Sequence, residues 1–299
     1  MGRALVTETE HQRGHGCRWP NYKGEFMSFT RIGANIAALQ SLNALLKINN
    51  TIGQSLLRLS TGKRINSVGD DAASFSLARG LEARRRSLQQ ALSNVGTAKN
   101  VLGIAEGGYL AISDLLQIIK EKTVQAADDS FNVVQRSAIQ GQIDALVEEI
   151  DDIVGENQFQ GTQLIDGSFS GSKFQTGAAA GDVFTVSLAN ADSAALSVNA
   201  LVVDSASTAS AAIAAVDAAI DTLNNAAQTV GESLLRLSSK EATLSVAITN
   251  TEAARSRIED VDFALEQANL VRNQIIQQTA FSAFAQANAA PQLVLSLFR

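Results

Sequence analysis

The amino-acid sequence predicts a mainly α fold, in which long antiparallel helices form coiled-coil or helical-bundle layers with a small β-hairpin in the middle of the chain. Three observations predict this fold. The 299 residues include only two prolines, which leaves room for very long helices. Apolar residues recur at steps of three and four over most of the chain, the spacing of an amphipathic helix. One Gly- and Ser-rich segment, residues 161–181, interrupts that spacing, and alternating residues follow it.

The first helix is predicted from Phe29 to about Ser60, where apolar residues keep a helical spacing. Thr61 and Gly62 should end it. The polar stretch 66–71 then reads as a loop, with Asp70 or Asp71 as the N-cap of the next helix.

The second and third helices are predicted at about Ala72–Asp128 and Val133–Glu156. The third has a heptad spacing of Ile and Leu. The second contains several glycines, each of which weakens a helix by about 1 kcal/mol relative to Ala and is typical of a close approach between elements. They are Gly80, Gly96, Gly103, Gly107 and Gly108.

The hairpin is predicted within about residues 167–190. Residues 174–176 and 183–188 flank the small-residue stretch Gly177–Gly181. Phe184, Val186 and Leu188 alternate with residues that are partly polar, which indicates a strand with one mainly apolar face.

The fourth helix is predicted from about Ala209 to Asp260 and would be roughly 75 Å long at 1.5 Å per residue. Its apolar residues follow a heptad, and a helix of this length cannot bury that stripe alone. A last helical segment is predicted at Phe263–Gln286, and the chain ends in an apolar tail, residues 293–299. The long helices therefore need partners from their own chain and from other chains.

The composition argues against an enzyme. Every His, the Cys and the Trp lie within the first 26 residues, so the rest of the chain lacks the usual general base, the thiol nucleophile and the commonest zinc ligands. Carboxylate-only or Ser-Lys chemistry stays formally open. We expect no metal and no cofactor. The net charge of −6 without a basic block argues against nucleic acid, and no run of about 18 apolar residues predicts membrane insertion.

Residues 1–26 are expected to be a disordered extension, because they lack the apolar stretch of a signal peptide. His11, His15 and Cys17 lack the fourth ligand that a zinc site needs. Purine-rich codons for Lys23-Gly24-Glu25 would resemble a ribosome-binding site, so we expect translation to start at Met27.

Two separate strings resemble the hallmarks of bacterial flagellins. Leu59–Ser67 with Asp70–Ala73 resembles the N-terminal hallmark, and Ala254–Ala264 resembles the C-terminal one. The chain ending and the stretch Phe159–Gly167 are also similar to the family. The resemblance covers Met27 to Arg299, and it implies a short core-only flagellin without large outer domains.

The resemblance implies a division into domains. Residues 28–68 and 258–299 should pair as an inner coiled coil, and residues 69–257 should form a helical bundle with the hairpin. The inner seam would contain Ile32, Ile36, Leu39, Leu56, Leu59, Ile275, Phe284 and Leu295. The hallmark residues are Arg64, Ile65, Asn66, Asp70, Asp71, Arg255, Arg257, Glu259 and Asp260. The ion pairs among them are also consistent with ordinary exposed helix pairs.

The function that the resemblance implies is structural: secreted subunits polymerise into the extracellular flagellar filament for swimming. Expected partners are copies of the same chain, an export chaperone at the C-terminal tail, and the filament cap and junction proteins, with unfolded export through the flagellar type III system. A hook–filament junction protein and a flagellin-like cell-surface protein that binds polysaccharide are the alternatives.

The resemblance also bears on an animal receptor. Flagellins that strongly activate Toll-like receptor 5 carry Leu-Gln-Arg-x-Arg-Glu-Leu on the second helix, whereas this chain has Ile118 and Lys122 at the first Arg and the closing Leu. Gln142 replaces a Glu of the third helix. Weak or absent activation of the receptor is therefore expected.

Overall fold

The structure is a computed structural model that describes the backbone of residues 35–296 and the side chains of residues 35–289. The expected start at Met27 and the disordered extension lie outside the described residues. So do Ile32 and the side chain of Leu295. Two compact units make up the chain: unit 1 contains the residues through Thr61 and those from Asp262 onward, and unit 2 is Gly62–Val261. Residues 62–68 and 258–261 of the expected inner domain lie in unit 2.

Unit 1 consists of two antiparallel helices, α1 (Ile36–Thr61) and α5 (Phe263–Ser296). Asn35 begins α1, since its side-chain oxygen accepts the N–H of Ala38 at 3.1 Å. The predicted α5 ended at Gln286, but the helix continues past that residue and through Pro291. A proline inside a helix leaves the carbonyl four residues earlier without its usual N–H donor.

Unit 2 is built on α2 (Ala72–Ala126), α3 (Val133–Glu156) and α4 (Ala206–Glu259). All three helices confirm the prediction to within a few residues. Ion pairs show that α2 and α4 run antiparallel: Lys99 Nζ lies 2.9 Å from Glu241 Oε2, and Lys120 Nζ lies 2.6 Å from Asp217 Oδ1.

Each helix of unit 2 begins at a polar cap. Asp71 caps α2 by accepting the N–H groups of Ala73 and Ser74, both at 3.1 Å. Asn132 and Ser205 form capping boxes at the starts of α3 and α4. The sequence left Asp70 and Asp71 as equal candidates, and the structure selects Asp71.

The core of unit 2 is a heptad seam that α2 and α4 share and α3 covers. Alanine alternates with larger residues from Ala91 to Tyr109 of α2 and from Ala212 to Val230 of α4, and these small side chains let the partner helix approach closely. The buried residues of this seam include Ala91, Val95, Ala98, Leu102, Ala105 and Tyr109 on α2, and Ala212, Val216, Ala219, Leu223, Ala226 and Val230 on α4.

Two small antiparallel hairpins follow α3. The predicted one pairs β3 (Ser172–Gln175) with β4 (Val183–Val186), with Phe174 opposite Phe184. Phe184, Val186 and Leu188 are buried, which confirms the predicted apolar face. A second hairpin, β1 (Gln158–Phe159) with β2 (Thr162–Gln163), was not predicted from the sequence. Its turn uses Gln160 and Gly161, both at positive φ.

An irregular segment, residues 188–205, packs along the helices and is held by buried polar groups. The Tyr109 hydroxyl donates to the carbonyl of Ala189 at 2.7 Å, and burial raises the pKa of this phenol to about 12. The Gln140 amide donates to the Leu201 carbonyl and accepts the N–H of Val203. The segment therefore completes the core of unit 2 without regular secondary structure.

Of the glycines predicted to mark a close approach in α2, Gly108 does so. A Cβ there would lie 2.2 Å from Asn157 Nδ2 and 2.9 Å from Ile165 Cδ1. At Gly107, nothing would lie within 4 Å of an added Cβ. The close neighbours come from the turn after α3 and not from another helix.

One helix in the described part of the chain, α2, is long and apolar enough to cross a membrane by length and composition alone. Buried core helices of globular proteins pass the same test, and 39% of the apolar window is buried inside unit 2. The absence of membrane insertion stays a prediction.

Candidate assembly surfaces

The first and last residues of unit 2 are bonded to each other. Lys63 and Asp260 form an antiparallel β-bridge, the N–H of Val261 donates to the Gly62 carbonyl at 3.0 Å, and the N–H of Arg64 donates to the Glu259 carbonyl at 2.7 Å. Gly62 takes a positive φ of 70°, which favours glycine at this turn. We call this pairing of residues 62–65 with 258–261 the terminal clamp.

The side chain of Arg255 organises an ion-pair network beside the terminal clamp. Its guanidinium contacts Glu252 at 2.6 Å and also bonds Glu259, and it lies 3.8 Å from Glu82 of α2. Glu259 is buried, and Lys63 Nζ reaches its other oxygen at 2.6 Å. The network therefore joins α2, α4 and the terminal clamp.

These contacts hold the carboxylates ionised. Hydrogen bonds from Arg85 and then Arg86 lower the pKa of Glu82 to about 2. Burial raises the pKa of Glu259, but hydrogen bonds from Lys63 and Arg255 outweigh that effect, so the pKa is lowered overall. The arrangement supplies fixed charge pairs for structure, because the pKa values of Glu82, Glu252 and Glu259 are all lowered.

The remaining hallmark residues shape the loop after the clamp. Ile65 is buried as an apolar anchor, and the Arg64 guanidinium donates to the Ile258 carbonyl at 2.8 Å. Asp70 accepts the N–H groups of Asn66 and Ser67 at 3.0 and 2.9 Å. Arg257 is exposed and takes no part in these ion pairs.

In unit 1, each helix has one covered face and one uncovered face. The covered faces follow a heptad but are rich in small and polar residues. They contain Ala38, Ser41, Leu45, Ile48, Ile52, Ser55 and Leu59 on α1, and Glu266, Leu270, Asn273, Gln277, Ala280, Phe284 and Ala287 on α5.

The uncovered faces of unit 1 also carry many large apolar residues. Their large apolar residues are Ile36, Leu39, Leu42, Leu46, Leu56 and Leu57 on α1, and Phe263, Leu265, Val271, Ile275, Ile276 and Phe281 on α5. Leu39 is 56% exposed and Ile275 is 60% exposed. Large apolar residues exposed in this number indicate a protein–protein contact. We call these residues the uncovered apolar face of unit 1.

The residues expected in the inner seam divide between these faces. Leu59 and Phe284 are half-buried between α1 and α5. Ile36, Leu39, Leu56 and Ile275 are on the uncovered apolar face. Sequence periodicity identified an apolar stripe on each helix, but it gave no sign of the polar covered face. Asn273 and Gln277, at heptad positions of α5, are the residues in the sequence that could have revealed this polar face.

The three receptor positions are at the surface of unit 2. Ile118 is exposed on α2, Lys122 is half-buried one turn later, and Gln142 is exposed on α3. The neighbouring Ile119 is fully buried in the core.

The two units, with ion pairs in place of reactive groups and a large uncovered apolar face, define a structural protein that assembles with other chains. Family models identify the class more closely. Residues 32–170 match the bacterial flagellin N-terminal helical region, and residues 213–298 match the bacterial flagellin C-terminal helical region. This chain belongs to the flagellin family and is a structural subunit of the bacterial flagellar filament, not an enzyme.

Relatives match over almost their whole length. The flagellin of Bacillus subtilis (strain 168) is 33% identical, covering 90% of this chain and 100% of the relative. Flagellin FlaB2 of Treponema pallidum (strain Nichols) is 32% identical, covering 90% and 99%. The flagellar filament 33 kDa core protein of Treponema phagedenis is also 32% identical. A crystal structure of Bacillus cereus flagellin matches with 26% identity and a TM-score of 0.43, covering 57% of this chain and 94% of that one.

Proposed function

We propose that unit 1 forms the inner layer of the filament and that its uncovered apolar face contacts other copies of the same chain. The observation that carries this proposal is the number of large apolar residues left exposed on α1 and α5. The face between α1 and α5 contains polar residues, whereas Leu39, Ile275 and their neighbours are exposed. Burying apolar surface gains roughly 25 cal/mol per Å², so this face is stabilised only when other subunits cover it.

Unit 2, with most of residues 69–257, would then form the surrounding layer. It has its own continuous core, so it needs no neighbour in order to fold. This difference between the units fits a subunit that is exported unfolded and completes unit 1 only at the growing tip, where ordering α1 and α5 is offset by contacts with neighbours.

The test is filament formation by purified protein, viewed by negative-stain electron microscopy. Leu39→Asp and Ile275→Asp each place a charge on the uncovered apolar face and should abolish filaments. Gln40→Asp and Gln274→Asp place the same charge on adjacent exposed residues and should leave filament formation intact. The thermal melt of unit 2, followed by circular dichroism, should be the same in all four variants.

Filaments of normal diameter from Leu39→Asp and Ile275→Asp would contradict the proposed inner layer. This result would also reopen the alternatives of a junction protein or a polysaccharide-binding surface protein. The names of the matched relatives favour the filament subunit over both.

We further propose that an export chaperone covers the C-terminal tail before assembly, and that the filament cap and junction proteins contact the same subunit ends. The support is the exposed apolar surface of α5, which is an aggregation hazard in a free chain.

Weak or absent activation of Toll-like receptor 5 is proposed as well. Ile118 and Lys122 replace the first Arg and the closing Leu of the family string, and the one basic residue kept at its second Arg position, Lys120, is paired with Asp217. Loss of a central Arg anchor commonly costs about 2 kcal/mol or more, roughly thirtyfold in affinity.

Purified monomer should be titrated on receptor-bearing reporter cells beside the triple variant Ile118→Arg, Lys122→Leu, Gln142→Glu. The unmodified monomer should be weak and the triple variant stronger, with filament formation intact in both. Activation by the unmodified monomer that equals a potent flagellin would show that these positions do not control recognition here.

A further inference from the structure

The covered faces of α1 and α5 hold polar side chains where an antiparallel coiled coil ordinarily holds Leu or Ile. Glu266 is only 7% exposed, and the Nε of Arg58 is buried without a hydrogen-bond partner. Ser55 of α1 is buried as well. Polar groups at such positions reduce the stability of a helix pair, and a single one can specify its register.

Three polar contacts join the helices at one consistent register. The Asn35 side-chain amide donates to the Ala287 carbonyl at 2.7 Å. The Gln277 amide donates to Asn49 Oδ1 at 2.6 Å. Arg58 and Glu266 form an ion pair at 3.9 Å. Residues 35–58 of α1 therefore lie against residues 287–266 of α5, nearly equal lengths of helix running in opposite directions.

The missing N–H group of Pro291 explains the first of these contacts. Residue 291 would normally donate its N–H to the carbonyl of residue 287, but proline has no N–H. The structure supplies a donor from the other helix, because Asn35 Nδ2 bonds that carbonyl. Asn35 also caps α1 by accepting the N–H of Ala38. One side chain thus fixes where α1 begins and which turn of α5 it meets.

We propose that these three contacts set the register of α1 against α5, so that the polar seam determines alignment and the uncovered apolar face supplies the affinity for other subunits. A slip of one heptad would separate Asn35 from the carbonyl that Pro291 frees and Glu266 from Arg58. Unpaired polar groups in a partly buried seam oppose that slip, whereas a seam of Leu alone would tolerate it. The inference deepens the proposed role of unit 1 but concerns a distance within one chain.

The test measures that distance by electron–electron double resonance. Spin labels are placed on cysteines at the exposed residues Gln40 and Gln267 of the full chain, with Cys17→Ser to leave no other thiol. Arg58 is opposite Glu266 and the helices are antiparallel, so Gln267 is opposite residue 57, which is 17 residues after Gln40 and puts the labelled positions about 26 Å apart along the axis. A slip of one heptad would change this separation by about 10 Å. Measurements are made on filaments that contain a small fraction of labelled subunits, because α1 and α5 are proposed to be ordered there.

Asn35→Asp keeps the capping oxygen but removes the amide donor, and Pro291→Ala gives the Ala287 carbonyl a donor within α5. Both variants should add a second distance component, shifted by about 10 Å. The control Asn43→Asp makes the same chemical change at an exposed residue of α1 and should give one unshifted component.

Arg58→Glu should also add the shifted component, and the exchange Arg58→Glu with Glu266→Arg should remove it again. An unshifted single distance in Asn35→Asp, Pro291→Ala and Arg58→Glu would overturn the proposal, and so would an exchanged pair that stays shifted. Filament formation by the unmodified chain, scored separately by electron microscopy, tests the proposed function and does not enter this comparison.

Discussion

At the scale of single residues, Gly108 of α2 is a position in unit 2 that leaves no space for a larger side chain. The turn after α3 packs so closely here that an added methyl group would overlap the side chains of Asn157 and Ile165. The side chain of Asn157 is held in place, because its Nδ2 donates to the Ile104 carbonyl at 3.0 Å. Neither neighbour can move without breaking the core or this hydrogen bond.

Gly108→Ala should therefore destabilise unit 2 by about 1–3 kcal/mol, the usual range for overpacking. Gly107→Ala is the matched control: it faces open space, and Ala is favoured over Gly by about 1 kcal/mol inside a helix, so that variant should be more stable. Thermal or urea unfolding of the monomer measures both changes. Equal effects of the two substitutions would contradict the close approach.

Glu82 gives a prediction about acid. Its folded-state pKa, about 2, is lower than its usual value of 4.5, so its ion pairs contribute stability above pH 4.5 and lose it as the pH falls toward 2. Glu82→Gln should lower stability at neutral pH and flatten the pH dependence between those values. The two unfolding curves should converge near pH 2.

The control for this experiment is Glu121→Gln, an exposed residue on the same helix. Its stability at neutral pH should equal that of the unmodified chain. A Glu82→Gln variant with an unchanged slope between pH 4.5 and 2 would show that the ion pairs of Glu82 with Arg85 and Arg86 do not stabilise unit 2.

At the scale of elements, the start of α2 depends on one side chain. Asp71 accepts two N–H groups that have no partner within the helix. Asp71→Ala should cost about 1 kcal/mol and lower the melting temperature of unit 2. Asp114→Ala, an exposed change in the middle of α2, should be neutral or slightly stabilising because Ala is the better helix former. Equal losses in both would argue against the cap.

The positions of the helices were largely predictable because the spacing of apolar residues agrees with the polar and glycine residues at the helix ends. The third helix and its bounds, Val133–Glu156, follow from the heptad and from the polar residue before it. The end of α5 was not predictable, because Pro291 reads as a terminator when its neighbours are unknown. The carbonyl that this proline frees is paired by Asn35, some 250 residues earlier in the chain, and no local pattern shows such a contact.

The assembly surface was only partly predictable for a related reason. Spacing shows that α1 is apolar on a broad arc, but it does not show which part of that arc α5 covers. Leu39 and Leu45 look alike in the sequence, yet Leu45 is buried within unit 1 and Leu39 is exposed. The small and polar residues between the helices decide this difference, and the spacing of large apolar residues does not reveal them.

At the scale of the whole molecule, the two units should differ in independence. Residues 62–261 contain the terminal clamp and the whole core of unit 2. This fragment should fold alone, melt like unit 2 of the full chain and form no filaments. Circular dichroism and analytical ultracentrifugation measure the first two properties, and electron microscopy the third.

A shorter fragment, residues 69–257, provides the comparison because it lacks the clamp and Glu259. It should melt at a lower temperature than residues 62–261. A fragment 62–261 that is unfolded, or that polymerises, would contradict the proposal that unit 2 folds alone and that polymerisation needs unit 1.

The alternation of alanine with larger residues between α2 and α4 has a consequence for how the chain refolds. An alanine has no side-chain torsion to fix, whereas a buried Leu or Ile loses about 0.5–1 kcal/mol of rotamer entropy. Alanines of this seam such as Ala98 and Ala219 are therefore buried without loss of rotamer entropy. In a seam between two helices of more than fifty residues each, these alanines reduce the number of side-chain torsions that must be fixed as the helices pair.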